Sequence, residues 1–167
     1  MKKLILLRHA KSSWDDPTLE DINRPLSKRG VYSAKLMREF IMNKFKNDIS
    51  NIYSSPSKRT KLTCDLVFNK NLTINYEDEL YTFNFQDLLN WLKILGDKNK
   101  ILIVGHNPAF IDLIQYLSKK DEIIQLPTCS LCEIHLNIDT WNGIKKNCGD
   151  IQLLQKVKNL KNYKFKK

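Results

Sequence analysis

Four side chains in this sequence have the types and positions to do chemistry together: Arg8 and His9, adjacent near the start, then Arg59, and then His106 after Gly105. Two arginines and two histidines make a poor metal site, because a guanidinium is always protonated and has no lone pair to donate. They make a good site for a tetrahedral oxyanion, since guanidinium forks match phosphate and hold it through paired hydrogen bonds. One imidazole, kept neutral by the surrounding cations, could attack phosphorus. The other could donate a hydrogen bond to the phosphoryl oxygens as charge spreads over them. This chemistry calls for no metal and no organic cofactor. Each residue alone says little: His106 could be a satisfied histidine near a helix start, and Arg59 a surface charge. His135, in CEIHLNID, shares a strand face with Glu133 and Asn137 and reads as solvent-facing, without a role.

What would bring the four together is the arrangement of apolar runs. Leu4–Leu7 is a short buried strand that stops at Arg8-His9. Ile101–Val104 is another, stopped by Gly105-His106, and Ile49–Ser54 is a third, with Arg59 a few residues beyond. In a parallel sheet the carboxyl ends of the strands share one edge, where ligands bind. Further strands are expected at Leu72–Tyr76, Leu131–Ile138 and Ile151–Val157, the last two joined through Asp139–Gly149 and paired antiparallel. Helical periodicity covers Val31–Phe45, Thr60–Phe68, Phe85–Leu95 and the segment after Pro108. Apolar strands alternating with helices predict a single three-layer α/β/α domain, with a mainly parallel sheet and a late antiparallel strand. The domain is expected over residues 1–160, with a basic C-terminal tail over 161–167.

The bulk numbers narrow the function classes. At 167 residues, with 42% hydrophobic and 28% charged side chains, the chain can bury a core of its own and is not a disordered sequence. No apolar stretch approaches the roughly 18–20 residues of a membrane helix. Lys2-Lys3 and the four apolar residues after them fall short of the roughly 7–15 apolar residues of a secretion signal. A cytoplasmic protein without membrane contact is the expectation. The net charge of +10 fits either a lysine-rich surface or an anionic partner. The concentration of lysine in KVKNLKNYKFKK, from Lys156, reads as a solvated and partly frayed end. No nucleic-acid motif is present, and aromatic and basic residues do not interleave outside that tail, so no nucleic-acid partner is expected. Cys129 and Cys132 are spaced as CxxC but run into a strand pattern, and Cys64 and Cys148 are singletons. All four read as free thiols rather than as a redox or zinc site.

The motifs RHAKSSW, NRPLSKRG, SSPSKRTKLT and VGHNP, in this order across nearly the whole chain, resemble the histidine phosphatase superfamily. Their match is best to its small SixA-type phosphohistidine phosphatase branch, which the late LPTCSLCEIHL stretch also fits. The resemblance implies a phosphoglycerate mutase-like fold and metal-independent phosphatase activity. It implies that His9 is the nucleophile, transiently phosphorylated, and that Arg8, Arg59 and His106 form the phosphate pocket. One departure bears on the substrate: larger members carry a glutamate as general acid, and here Thr82 stands at that position, with Asp78 and Glu79 as nearby substitutes. Without an acid, an alkyl phosphate loses its alkoxide poorly, whereas phosphohistidine has a labile P–N bond. The expectation is a monomeric protein phosphohistidine phosphatase. A phosphatase or mutase for a small phosphorylated metabolite is the alternative, and a non-catalytic phosphate- or nucleic-acid-binding module the more distant one.

Overall fold

The computed structural model describes residues 1–46 and 48–162. Six strands form one sheet: β1 (Lys2–Arg8), β2 (Ile52–Ser54), β3 (Ile74–Tyr76), β4 (Lys100–Gly105), β5 (Leu131–Leu136) and β6 (Gly149–Gln155). Their order is β3-β2-β4-β1-β5-β6. The pairs β3–β2, β2–β4 and β4–β1 are parallel, while β5 runs antiparallel to both β1 and β6. The antiparallel strand expected late in the chain is therefore β5, and it sits inside the sheet. Among the described residues no helix is long and apolar enough to cross a membrane.

Four helices, α1 (Lys28–Phe45), α2 (Lys58–Val67), α3 (Phe85–Lys93) and α4 (Ala109–Leu117), cover the two faces. The apolar run of β1 is uninterrupted because each face is buried: Leu4 and Leu6 pack with α3 and α4, Ile5 and Leu7 with α1 and α2. β4 divides likewise, Ile101 and Ile103 to one side and Leu102 and Val104 to the other. The three-layer expectation holds.

The strand and helix ends differ from the sequence reading at several places. β2 begins at Ile52 rather than Ile49, which is buried but outside the ladder. α3 stops at Lys93 rather than Leu95, which packs against the core from beyond the helix end, while Ile94 between them is 81% exposed. α1 starts earlier than expected: Ser27 caps it, accepting from the Gly30 amide at 3.1 Å. Leu160, at the predicted domain boundary, is buried in the layer under α1 and α2, and residues 163–167 of the predicted tail lie outside the described residues.

His135 does not face open solvent. β5 is flanked on both sides, and the His135 ring is half-buried with Nε2 2.9 Å from the nearly buried Glu133 carboxylate. The four cysteines are free and buried, and burial pushes the Cys64, Cys129 and Cys132 thiols up to about 12. Cys129 and Cys132 pack on opposite faces of the sheet, so their CxxC spacing does not make a pair.

Candidate active site

β1 delivers Arg8 as its last residue and His9 immediately after it. The His9 backbone is fixed from both neighbouring strands: its amide donates to the Gly105 carbonyl at 3.1 Å, and the Cys129 amide donates to its carbonyl at 2.9 Å. His9 Nδ1 lies 2.7 Å from the Ala10 carbonyl oxygen. A carbonyl can only accept, so Nδ1 carries the proton and Nε2 keeps its lone pair. Burial, and next to it the charges of Arg59 and Arg8, lower the His9 pKa to about 4 despite that hydrogen bond. The ring is a neutral imidazole with a free nitrogen across the neutral pH range.

The SSPSKRTKLT stretch builds the second part of the site. Ser57 caps α2, the Thr60 hydroxyl donates to the Ser55 carbonyl at 2.6 Å, and Arg59 is held in the first turn at 4% exposure. Thr63, one turn on, accepts from the Ala10 amide at 3.0 Å and donates to the Arg59 carbonyl at 2.7 Å. This one hydroxyl ties the loop after His9 to the helix that carries Arg59.

His106 follows β4, where Gly105 lets the Phe110 ring close in: a Cβ there would lie 2.7 Å from it. The His106 and His9 ring centroids are 5.3 Å apart. His106 Nδ1 faces Arg59 Nη2 at 3.3 Å, and Nε2 lies 2.8 Å from the Ser55 hydroxyl. The guanidinium can only donate, so Nδ1 accepts here and Nε2 donates. A serine hydroxyl serves equally as donor, so Ser55 also permits the opposite tautomer, with Nδ1–H free to donate. Burial first, then the nearby His9 and Arg59, depress the His106 pKa strongly. The structure thus brings all four predicted residues together, drawn from three strand ends.

Arg8, His9 and Arg59 open on a cavity of roughly 240 Å³, lined also by the unassigned Asp21, Arg24 and Thr128 together with Lys11, Ser12 and Trp14. Arg24 stacks 3.9 Å from the centre of the Trp14 ring. Its Nε and Nη1, like Nε of Arg8, are buried without a hydrogen-bond partner among the described residues. The Asp21 carboxylate accepts from Arg59 Nη2 at 2.9 Å and from the Tyr81 hydroxyl at 2.6 Å. Partial burial opposes ionisation, but these two hydrogen bonds prevail and hold its carboxyl below the usual range. The sequence reading assigned no role to Asp21 or Tyr81. Arg24 lies in the NRPLSKRG motif, which offered the one available signal.

That motif also positions the loop. The Ser27 amide donates to the Lys11 carbonyl at 2.9 Å and the Ser13 amide to the Pro25 carbonyl at 2.8 Å. Gly30 sits so close that a Cβ would lie 2.2 Å from the Lys11 carbonyl oxygen. Only glycine fits under this backbone, which leads directly out of His9.

The expected substitutes for a general acid do not reach the site. Asp78 and Glu79 are exposed on the short turn Asp78–Leu80, anchored by the buried Leu80. Glu79 instead borders a separate, larger cavity of about 520 Å³ with Asp87 and Trp91, whose carboxylates make it unsuited to phosphate. Thr82, at the expected acid position, donates to Asp87 at 2.6 Å, a local structural bond. No group of three or more His, Cys, Asp or Glu side chains is placed to hold a metal ion among the described residues.

Fold and site together define a class: α/β proteins whose sheet edge presents two imidazoles and several guanidinium groups to a phosphoryl-sized anion. The chain belongs to the histidine phosphatase superfamily, whose branch 1 model matches residues 4–91. Phosphoserine phosphatase 1 of Hydrogenobacter thermophilus is 39% identical over 83 residues, 48% of this chain and 38% of that protein. An uncharacterised chloroplastic protein of Arabidopsis thaliana is 29% identical over 153 residues, 84% of this chain and 69% of its own length. Among solved structures, the protein histidine phosphatase SixA complexed with tungstate superposes with a TM-score of 0.78 at 20% identity, covering 95% of this chain and 99% of that one. These likenesses mark the chain as a phosphatase of phosphoglycerate mutase-like fold.

Proposed function

We propose that the protein is a SixA-type, metal-independent phosphatase that removes the phosphoryl group from protein phosphohistidine through a phosphohistidine intermediate on His9. The observation that carries this reading is the hydrogen bond from His9 Nδ1 to the Ala10 carbonyl, which leaves Nε2 unprotonated beside two guanidinium groups. Arg8, Arg59 and Arg24 hold the phosphoryl oxygens. Nε2 of His9 forms a bond to phosphorus as the P–N bond to the substrate breaks, and the substrate imidazole takes the electron pair of that bond. As Arg59 Nη2 turns from His106 Nδ1 to the phosphoryl group, Ser55 donates to His106 Nε2 and the ring presents Nδ1–H to the phosphoryl oxygens as charge builds on them. Water then attacks phosphorus, the bond to Nε2 breaks with its electron pair returning to Nε2, and inorganic phosphate leaves with the water's oxygen and both its protons, one of which passes on to solvent.

The leaving group supports the substrate class. The carboxylate closest to the reacting groups is Asp21, and its partners Arg59 and Tyr81 keep it ionised, a poor proton donor. An imidazole leaves without strong acid help; an alkoxide does not. Four free cysteines fit a reducing compartment such as the cytoplasm. A second reading, a phosphatase for a small metabolite, draws on the match to phosphoserine phosphatase 1. Brief exposure to labelled substrate followed by alkaline quench should trap phosphate on His9, stable in base and labile in acid. Turnover at the wild-type rate by His9→Ala would refute the mechanism, and loss of activity with a chelator would refute metal independence. Faster turnover of phosphoserine than of a phosphohistidine protein would favour the second reading.

A further inference from the structure

A second basic recess lies beside the phosphoryl cavity. It is a groove of roughly 270 Å³ between the first turns of α1, which supply Arg29 and Tyr32, and the C-terminal turn, which supplies Lys156, Lys158 and Lys161. Thr128 lines both the groove and the phosphoryl cavity, so the two adjoin. No carboxylate lines the groove, and none of its four cations forms an ion pair among the described residues. The wall is a built one: Leu160 is buried at 1% exposure and Val157 packs with it in the layer under α1. The lysines that the sequence suggested were part of a frayed end are fixed at least as far as this anchor.

We propose that this groove docks an acidic segment of the phosphoprotein substrate, flanking the phosphohistidine that enters the neighbouring cavity. The proposal rests on the phosphohistidine reading given above. Charge complementarity names the occupant, since four unpaired cations with no interspersed acid attract carboxylates and repel basic segments. Size separates protein from nucleic acid. The groove is compact, with room for a few carboxylate side chains rather than a row of phosphates.

Two phosphohistidine peptides test it, one with aspartate and glutamate flanks and one with serine and glutamine flanks, alongside phosphoramidate. Wild-type kcat/KM should favour the acidic peptide by about tenfold at low ionic strength. That preference should largely vanish at about 0.5 M salt. The Lys156→Ala, Lys158→Ala, Lys161→Ala triple variant should lose the preference while turning over phosphoramidate at the wild-type rate. Since Lys156 is half-buried, the exposed pair Lys158→Glu, Lys161→Glu provides a second test and should reverse the preference. Equal kcat/KM for both peptides, with phosphoramidate still hydrolysed, would overturn the groove and leave the His9 reading intact. Failure to hydrolyse any of the three substrates would overturn that reading instead. Tighter binding of a single-stranded oligonucleotide than of the acidic peptide at physiological salt would overturn the protein occupant.

Discussion

Holding His9 as a neutral imidazole has a consequence for stability that pH exposes. Its pKa falls from an ordinary 6.5 to about 4 in the folded protein, chiefly because the ring is buried, at 8% exposure. Between those values the unfolded chain binds a proton that the folded chain refuses, so acid favours unfolding. The stabilisation is complete above pH 6.5 and is lost as pH falls toward 4. Those two pKa values place the loss from His9 alone at about 2 kcal/mol between pH 7 and pH 5. His106, depressed in the same direction, adds to it. The assay is urea unfolding at pH 7, 6 and 5 for the wild type and His9→Gln, which cannot take up the proton. Carboxylates contribute equally to both proteins and cancel in the difference. The wild type should lose about 2 kcal/mol more than the variant, a midpoint difference of roughly 1 M urea. Parallel pH curves would refute the reasoning: the pocket would then tolerate an imidazolium at position 9, and the ready nucleophile would be gone.

Gly30→Ala should destabilise the fold by about 1–3 kcal/mol, because its Cβ must displace the Lys11 backbone, and urea titration measures it. Turnover should fall with it, since Lys11 leads out of His9. Arg24→Ala removes unpaired guanidinium donors from the phosphoryl cavity and should raise KM about tenfold or more with kcat nearly kept. An unchanged KM would remove Arg24 from the phosphate pocket. Asp21→Asn should leave phosphohistidine turnover within a few-fold and tighten inorganic phosphate binding by a few-fold in calorimetry, because Arg59 loses its competing anion. A hundredfold fall in kcat would instead identify Asp21 as an acid. Ser55→Ala should lower kcat about tenfold with KM steady, as His106 loses the hydrogen-bond partner of its Nε2.

The parts of the molecule that the sequence revealed are those where one physical signal dominates. An apolar run buried on both faces, as in β1 and β4, is unambiguous, and a charged pair directly after it must lie at the sheet edge. Arg8, His9 and His106 were legible for that reason, and Arg59 because it lies close behind β2. Asp21 and Arg24 were not, because the loop between β1 and α1 has no periodicity. Its course is set by backbone pairing, such as Ser13 to Pro25 and Ser27 to Lys11, and by the space under Gly30. Tyr81 reaches Asp21 from 60 positions along the chain. The C-terminal lysines read as a loose end because charge dominates their composition, yet the buried Leu160, with Val157 packed beside it, decides where they sit.

The two kinds of residue divide the work of such a site. Strand-end residues are fixed by the sheet, which cannot shift by a residue without turning its apolar faces outward. They suit the part of the reaction common to every substrate, the holding and transfer of a phosphoryl group. The loop carrying Asp21 and Arg24, and the C-terminal turn carrying Lys156, Lys158 and Lys161, are free of that constraint and border adjoining recesses. Substrate choice can vary there without disturbing the chemistry. Asp21 illustrates the division. Its carboxylate stands beside the reacting groups, where an acid would serve an alkyl phosphate, yet Arg59 and Tyr81 hold it as an anion. On the proposed mechanism, a site arranged in this way transfers a phosphoryl group but favours leaving groups that depart without a proton. The phosphohistidine reading follows from that bias in the leaving group more than from the phosphate pocket itself.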